Sequence, residues 1–349
     1  MKAVIIEKVK EITIKDVEVK RPKGDEVLIK IDVAGLCGTD VHMWDGSNFE
    51  GTFPFIPGHE WVGHIIEVGD KVKSLKVGDR VIGDNYIGCG VCNVCRNGSG
   101  PHFCPNKKAY GYTPEAPGGM AEFHWSPEER IYKIPDIIDD DTAVLIEPIS
   151  VPYNAIWNRL GGLAPHDRIA IIGAGPIGLL SIGISSISGA QIIVLEPSSE
   201  RRKIAKELFN VENIIDPSNG NPVEEVMKLT DGLGVTKIIE CSGSISGISL
   251  TVDIIAVDGK IALTGHSLGT KIPIELGKII WTQAAILGSC GAPYYIQKTI
   301  DFLSRGLVDF KKIITHRFPI EESLKAFQLG LEGKAGKILI YPDSKKMPS

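Results

Sequence analysis

What the chain lacks narrows its class before any motif is read. Positive charge is not in excess: 38 Lys and Arg stand against 43 Asp and Glu, a formal net charge of -5. The cations are scattered, so there is no basic field for phosphate backbones, which excludes nucleic acid as a partner. An export signal is missing as well. The opening run Met1-Lys-Ala-Val-Ile-Ile-Glu7 meets charge within a few residues and has no apolar stretch of signal length, so a cytoplasmic protein is expected. One long uncharged run exists, between Arg168 and Glu196, but Gly173-Ala-Gly175-Pro176 breaks it near its start. Ser185, Ser186, Ser188 and Gly189 make its later part too polar for a bilayer, and no membrane association is expected. Internal repeats and low-complexity segments are absent.

What is there fits a soluble enzyme of ordinary composition, 43% hydrophobic and 23% charged. At 349 residues the chain exceeds the ~250–300 residues at which single cores stop growing, so two domains are expected. Up to about Arg130 the sequence carries short β-like runs punctuated by glycine, such as 27–33, 63–69 and 78–83. From about Tyr153 it alternates strands and helices, with buried strands expected at 169–172, 191–195, 213–215, 236–240, 260–264 and 284–287. That rhythm predicts a doubly wound parallel sheet. After Gly288 the pattern no longer fits another strand-helix unit, and the last sixty or so residues are expected to return to the first domain.

The strand at 169–172 runs into Gly173-Ala-Gly175-Pro-Ile177-Gly178, which opens a helix, and the next strand ends at Glu196. Gly-x-Gly-x-x-Gly in that setting, with an acidic residue after the second strand, is a dinucleotide fingerprint. Gly173 makes the turn, Gly175 admits the pyrophosphate, Gly178 packs helix on strand, and the helix start, Ile177 included, holds the phosphates. Glu196 would accept from the adenosine ribose and repel a 2′-phosphate, favouring NAD over NADP. Arg201 and Arg202 compete with that reading; Arg201 is also a candidate to line the adenosine pocket.

Seven cysteines are present, four of them crowded as Cys89-x-x-Cys92-x-x-Cys95-x8-Cys104. In a cytoplasmic chain that cluster points to metal rather than disulfides. Four thiolates fill a tetrahedral zinc, so this site is expected to be structural. A second set offers mixed donors: Cys37 in Gly35-Leu-Cys-Gly-Thr39-Asp40-Val-His42, His59 in Gly58-His-Glu60, and Glu147 in Ile146-Glu-Pro148. Mixed ligation with an open position suits a catalytic zinc.

These motifs, in this order, resemble the medium-chain zinc alcohol dehydrogenases. The resemblance implies an α/β protein with a GroES-like β-rich catalytic domain, residues 1–152 and 289–349, and a doubly wound Rossmann dinucleotide-binding domain, residues 153–288. It implies Cys37, His59 and Glu147 as catalytic zinc ligands, with Glu60 either behind them or exchanging with water, and two zincs per chain. Asp40 would orient His59. Thr39 and then His42 would carry the alcohol proton away. A homodimer or homotetramer is expected. Glutamate at 147, where simple alcohol dehydrogenases have cysteine, resembles the sorbitol, butanediol and inositol branch, so a small polyol, sugar or inositol-type substrate is expected. Two departures stand out. The last gap in the cysteine cluster has eight residues where the family's common pattern has seven. Sorbitol enzymes also often carry a basic residue where this chain has Gly288-Ser289-Cys290. A simple secondary-alcohol or diol dehydrogenase is the alternative within the class, and a non-catalytic dinucleotide-binding protein the alternative outside it; a zinc-free quinone reductase would not need Cys37, His59 and Glu147 together. Trp44, Tyr112 and the segment 289–295 are candidate pocket walls.

Overall fold

The computed structural model describes residues 1–47, 52–265, 269–291 and 294–348. They group into two units: Met1–Glu147 with Pro293–Gly306 and Ile314–Ser349, and Pro148–Ala292 with Leu307–Ile313. The first boundary falls at 147/148 rather than the expected 152/153, and the return at 292/293 rather than 288/289. Among the described residues no helix is long and apolar enough to cross a membrane.

The first unit is built on a seven-stranded sheet, ordered Ile314–Pro319, Lys337–Tyr341, Glu26–Leu36, Glu60–Val68, Arg80–Gly83, Ile131–Lys133, with Phe123–Pro127 also pairing Glu26–Leu36. Glu26–Leu36 is longer than the expected 27–33 and nearly all buried, because it is covered on both faces. Such a strand reads as a continuous apolar run rather than as an alternation. Around it packs a core that includes Met43, Trp44, Phe55, Trp61, Ile65 and Phe327. Trp44, a candidate pocket wall, belongs to this core, edge-on to Phe327 at 5.8 Å. Antiparallel pairing sets Gly35 opposite Glu60. The chain then turns at Cys37 into the helix Gly38–Asp45, closed by Gly46 in the left-handed conformation, φ 79°.

The second unit holds six strands: Arg168–Ile172, Gln191–Leu195, Asn213–Ile215, Val235–Glu240, Ile255–Leu263 and Ala285–Gly288. All their pairings are parallel. Numbered along the chain from Arg168–Ile172, their spatial order is 3-2-1-4-5-6, the doubly wound arrangement with its switch point at the first strand. The strand expected at 260–264 starts earlier because Ile255, buried, already pairs with Val235; the ladder is then interrupted, with Asp258 at φ 57°, before Lys260 pairs with Lys237. Ser198, Asn221 and Ser244 cap three of the helices with side-chain acceptors.

The segment Leu307–Ile313, read from sequence as part of the returning chain, groups with the parallel sheet. Phe310 and Ile313 are buried at 1% and 0% exposure. Phe310 lies against Gly183 on the helix Pro176–Ser186, where a Cβ would come 2.6 Å from its ring. That helix follows the Gly173–Gly178 turn, and Phe310 packs against its second half. Phe310→Ala is expected to cost the second unit about 3–5 kcal/mol, the usual loss for a fully buried ring. A denaturant midpoint equal to the parent's would show that the segment is not part of that core.

Candidate active site

One buried carboxylate assembles the mixed-donor cluster. Asp40, in the first turn of Gly38–Asp45 and 0% exposed, accepts from the Cys37 amide at 3.0 Å and from the Gly58 amide at 3.1 Å. It therefore ties together the two loops that carry Cys37 and His59. Its distance to His59 Nδ1 is 3.6 Å, too long for a good hydrogen bond, so its main grip is on backbone.

Cys37, His59 and Glu60 offer donor atoms that all lie within 4.8 Å of one another. Glu147 is not in that set. Its Oε1 accepts from Asn85 Nδ2 at 2.7 Å, which holds the carboxylate beside the cluster. Of the four residues that the sequence offers for this centre, Cys37, His59 and Glu60 therefore stand in mutual reach, and Glu147 is anchored by Asn85. Three donors from thiolate, imidazole and carboxylate, with further coordination open, fit a catalytic zinc.

The electrostatics suit a cation there. Burial pushes the Glu147 carboxyl up to about 7, with Glu60 adding to the rise against His59, Asn85 and Lys337. Burial opposes a charged His59, yet the Asp40 and Cys37 charges hold it well above the ordinary histidine range. Lys337, 1% exposed on the strand Lys337–Tyr341, forms an ion pair with Glu60 Oε2. Burial opposes its charge too, and Glu60 and Cys37 keep it raised. Sequence reasoning missed Lys337 and Asn85; a lysine opening a strand at the far end of the chain gives no local sign of burial. Tyr112, proposed as a pocket wall, stacks on His59 with ring centroids 5.0 Å apart and planes at 21°. Thr39 Oγ1 lies 3.6 Å from Cys37 Sγ. One turn on, the exposed His42 meets Ser47 Oγ at 2.9 Å. Of the segment 289–295, Ala292 and Pro293 lie outside the described residues; Ser289 is buried and Cys290 and Tyr294 are exposed.

The four-cysteine cluster is assembled as expected from its spacing. Cys89, Cys92, Cys95 and Cys104 sulfurs lie within 4.8 Å of one another, with Cys92 Sγ 3.6 Å from Cys95 and 3.7 Å from Cys104. A tetrahedron with bonds of ~2.3 Å has edges of ~3.8 Å, so the sulfurs already stand at zinc-site spacing. The Val91 and Cys92 amides bring the Cys89 thiol down to about 6. Cys95 is pushed up to about 11: the Gly90 amide works against this, but desolvation and the neighbouring Cys92 and Cys104 prevail. Four sulfurs so close, one thiol pushed down and another up by their neighbours, suit a shared cation that would take all four as thiolates. The last gap contains Gly98-Ser-Gly100, with φ 73° at Gly98 and 114° at Gly100, conformations that glycine adopts without strain and that let this longer gap close on the cluster.

In the parallel unit the glycine turn forms a cradle. A Cβ on Gly178 would come 1.9 Å from the Gly173 carbonyl oxygen, and Gly173 itself sits at φ 90°. Ile177, half-buried, occupies the first turn of the helix that follows, whose N–H groups are free for an anion. Glu196, 3% exposed, accepts from Ala174 N–H at 2.6 Å and Ser198 N–H at 2.8 Å. Arg202 is occupied, donating to the Glu196 and Pro197 carbonyls and pairing with Asp216 at 3.0 Å. Arg201 reaches over Gly175, its Nη1 3.6 Å from where a Cβ would stand, and its buried Nε has no partner.

Comparison with known proteins agrees with this geometry. Residues 23–136 match the alcohol dehydrogenase GroES-like domain and residues 176–305 the zinc-binding dehydrogenase domain. The chain is 34% identical to an L-threonine 3-dehydrogenase of Pyrococcus horikoshii over 334 residues, 93% of each chain. It is 30% identical to a sorbitol dehydrogenase of Bacillus subtilis over 348 residues, 98% of each. A zinc-binding dehydrogenase of Sinorhizobium meliloti solved with NADP superposes with a TM-score of 0.91 at 29% identity, covering 98% of this chain and 99% of that one.

Asp40→Ala is expected to orphan two amides at roughly 1–3 kcal/mol each and to release metal from the mixed-donor cluster while the four-cysteine site keeps its own. Metal analysis after dialysis checks this; full retention at both sites would refute the organising role of Asp40.

Proposed function

The chain belongs to the medium-chain zinc-binding alcohol and polyol dehydrogenases, and on that premise we propose that it oxidises a secondary alcohol of a polyol, sugar or inositol-type substrate with NAD. The observation that carries the reading is the mixed-donor cluster of Cys37, His59 and Glu60 with Glu147 held beside it. A zinc bound there would lower the pKa of the substrate hydroxyl. Cys37 and His59 with the Glu147 and Glu60 carboxylates would hold it, and Lys337 would balance the charge of Glu60. Thr39, beside the thiolate, would accept a hydrogen bond from the alcohol and pass its own hydroxyl proton on as it takes the alcohol's. His42, three residues on and so on the same helix face, is exposed and would release that proton to solvent by way of the cofactor ribose. A glutamate at 147 in place of a thiolate adds an acceptor near the site, which suits a substrate with more than one hydroxyl.

The relatives keep a second substrate open. An L-threonine 3-dehydrogenase acts on a secondary alcohol in an amino acid, and its likeness spans as much of this chain as most. Polyols, sugars, inositols, L-threonine and simple secondary alcohols, offered singly with NADH absorbance as readout, separate these readings. Turnover confined to L-threonine or simple alcohols would overturn the polyol reading. With the best substrate of that panel, Glu147→Ala is expected to abolish turnover while the fold and the four-cysteine metal persist; near-normal activity would remove Glu147 from the site.

The choice of NAD rests on Glu196 and on the engagement of Arg202 with carbonyls and Asp216. A 2′-phosphate would bring charge against a buried carboxylate, and like-charge contacts of that kind cost several kcal/mol. NAD should exceed NADP at least about tenfold in kcat/KM, since each ~1.4 kcal/mol is a factor of ten. Glu196 replaced by a small neutral residue should narrow the gap, with Arg201 then available to the phosphate. Equal efficiency in the unmodified protein would mean that Arg201 already outweighs Glu196.

A further inference from the structure

The four-cysteine lobe stands on a two-stranded ladder. Tyr86–Ile87 pairs antiparallel with Lys108–Ala109, Tyr86 opposite Ala109 and Ile87 opposite Lys108. Cys89 follows the first strand and Cys104 precedes the second, so a metal closing the four thiolates also closes this ladder. From its base two neighbouring residues point to the mixed-donor cluster. Asn85, 6% exposed, donates to Glu147 and accepts from the Tyr110 amide through its backbone carbonyl. Its Oδ1 is buried with no partner. Buried polar atoms are normally satisfied, and an amide placed for stability alone would be saturated; this one is committed to Glu147.

Tyr86 supplies the second link. Its ring stacks on Tyr112, with centroids 5.8 Å apart and planes at 25°, and Tyr112 stacks on His59. On its other side Tyr86 meets His102 at 6.1 Å and lies under the Lys107 ammonium at 5.8 Å. Lys107 in turn donates to the His102 carbonyl at 2.7 Å. His102 and Lys107 flank Cys104, so the ring row runs from the lobe to His59 without a gap.

We propose that Asn85 and Tyr86 are positioning residues for the mixed-donor site: they convert the closed lobe into a fixed placement of Glu147 and of the His59 ring. The proposal rests on the reading of that cluster as a metal site. Groups that orient ligands from behind are worth about 10–100-fold in metal affinity or activity. Loss of either link therefore loosens the mixed-donor site without emptying the lobe.

The test compares the zinc-loaded parent with N85A, Y86L and Y86F, measuring zinc retained after dialysis against a chelator, kcat and KM separately, and the melting temperature. The parent should keep about two zincs per chain. N85A and Y86L should fall towards about one, with kcat down roughly 10–100-fold, a smaller change in KM and melting close to the parent. Y86F, which keeps the ring, should restore both metal and kcat. If N85A and Y86L keep both metals and their kcat, or if Y86F falls as far as Y86L, the proposal is wrong. Should Y86L not fold, N85A decides alone, since it leaves no ring-sized cavity. A parent that holds only the lobe metal would overturn the functional reading itself, a different result from two zincs and indifferent variants.

Discussion

The bonds from Asp40 to the Cys37 and Gly58 amides are the constraint on which the metal chemistry depends. A buried carboxylate oxygen is costly to leave without a partner, and these two bonds join the loops that carry Cys37 and His59. Gly35 stands opposite Glu60 in the ladder; a Cβ there would come 2.3 Å from Glu60 Oε2. Glycine at 35 lets that carboxylate turn inward to Cys37 and His59. Gly58, at φ 96° and with Met120 2.6 Å from its Cβ position, admits the turn that delivers His59. Asp40 and the two glycines place a sulfur, a nitrogen and an oxygen together before any metal arrives.

The site also concentrates buried charge. A thiol, a histidine and two carboxylates are gathered around one buried lysine. Burying charge without compensation is costly, and groups respond by shifting their protonation. Glu147 pushed up to about 7 and His59 raised well above its usual range are that response. A divalent cation reverses it: donors lose protons as the ion binds, so metal affinity and proton release are linked. Lys337 would then balance Glu60, while Asn85 holds Glu147 in place.

Much of this was legible in the sequence where the chemistry is local. The glycine turn, the cysteine spacing and the Cys37 and His59 motifs are short segments whose geometry is set within a few residues, and the structure gathers each of them. The parallel strands at 191–195 and 213–215 coincide with those observed because buried β-branched runs bounded by turns leave little choice. What depends on register across the fold was not legible. Glu147 is held by an asparagine sixty-two positions away, and that partner could not be read from its own motif. Lys337 is buried because its strand pairs with Glu26–Leu36. Phe310 belongs to the parallel unit although the chain around it belongs to the other. None of these has a local pattern, since each is a pairing of distant residues.

The central claim is that one chain carries a closed four-thiolate metal site and an open site with a single thiolate. X-ray absorption at the zinc edge of the purified protein tests it most directly, because it reads ligand type at the metal without reference to any substrate. The account predicts an average of about two to three sulfurs per zinc, at ~2.3 Å, with the remaining ligands nitrogen and oxygen at ~2.0–2.2 Å. An all-sulfur shell would show that only the lobe binds metal, and would contradict it.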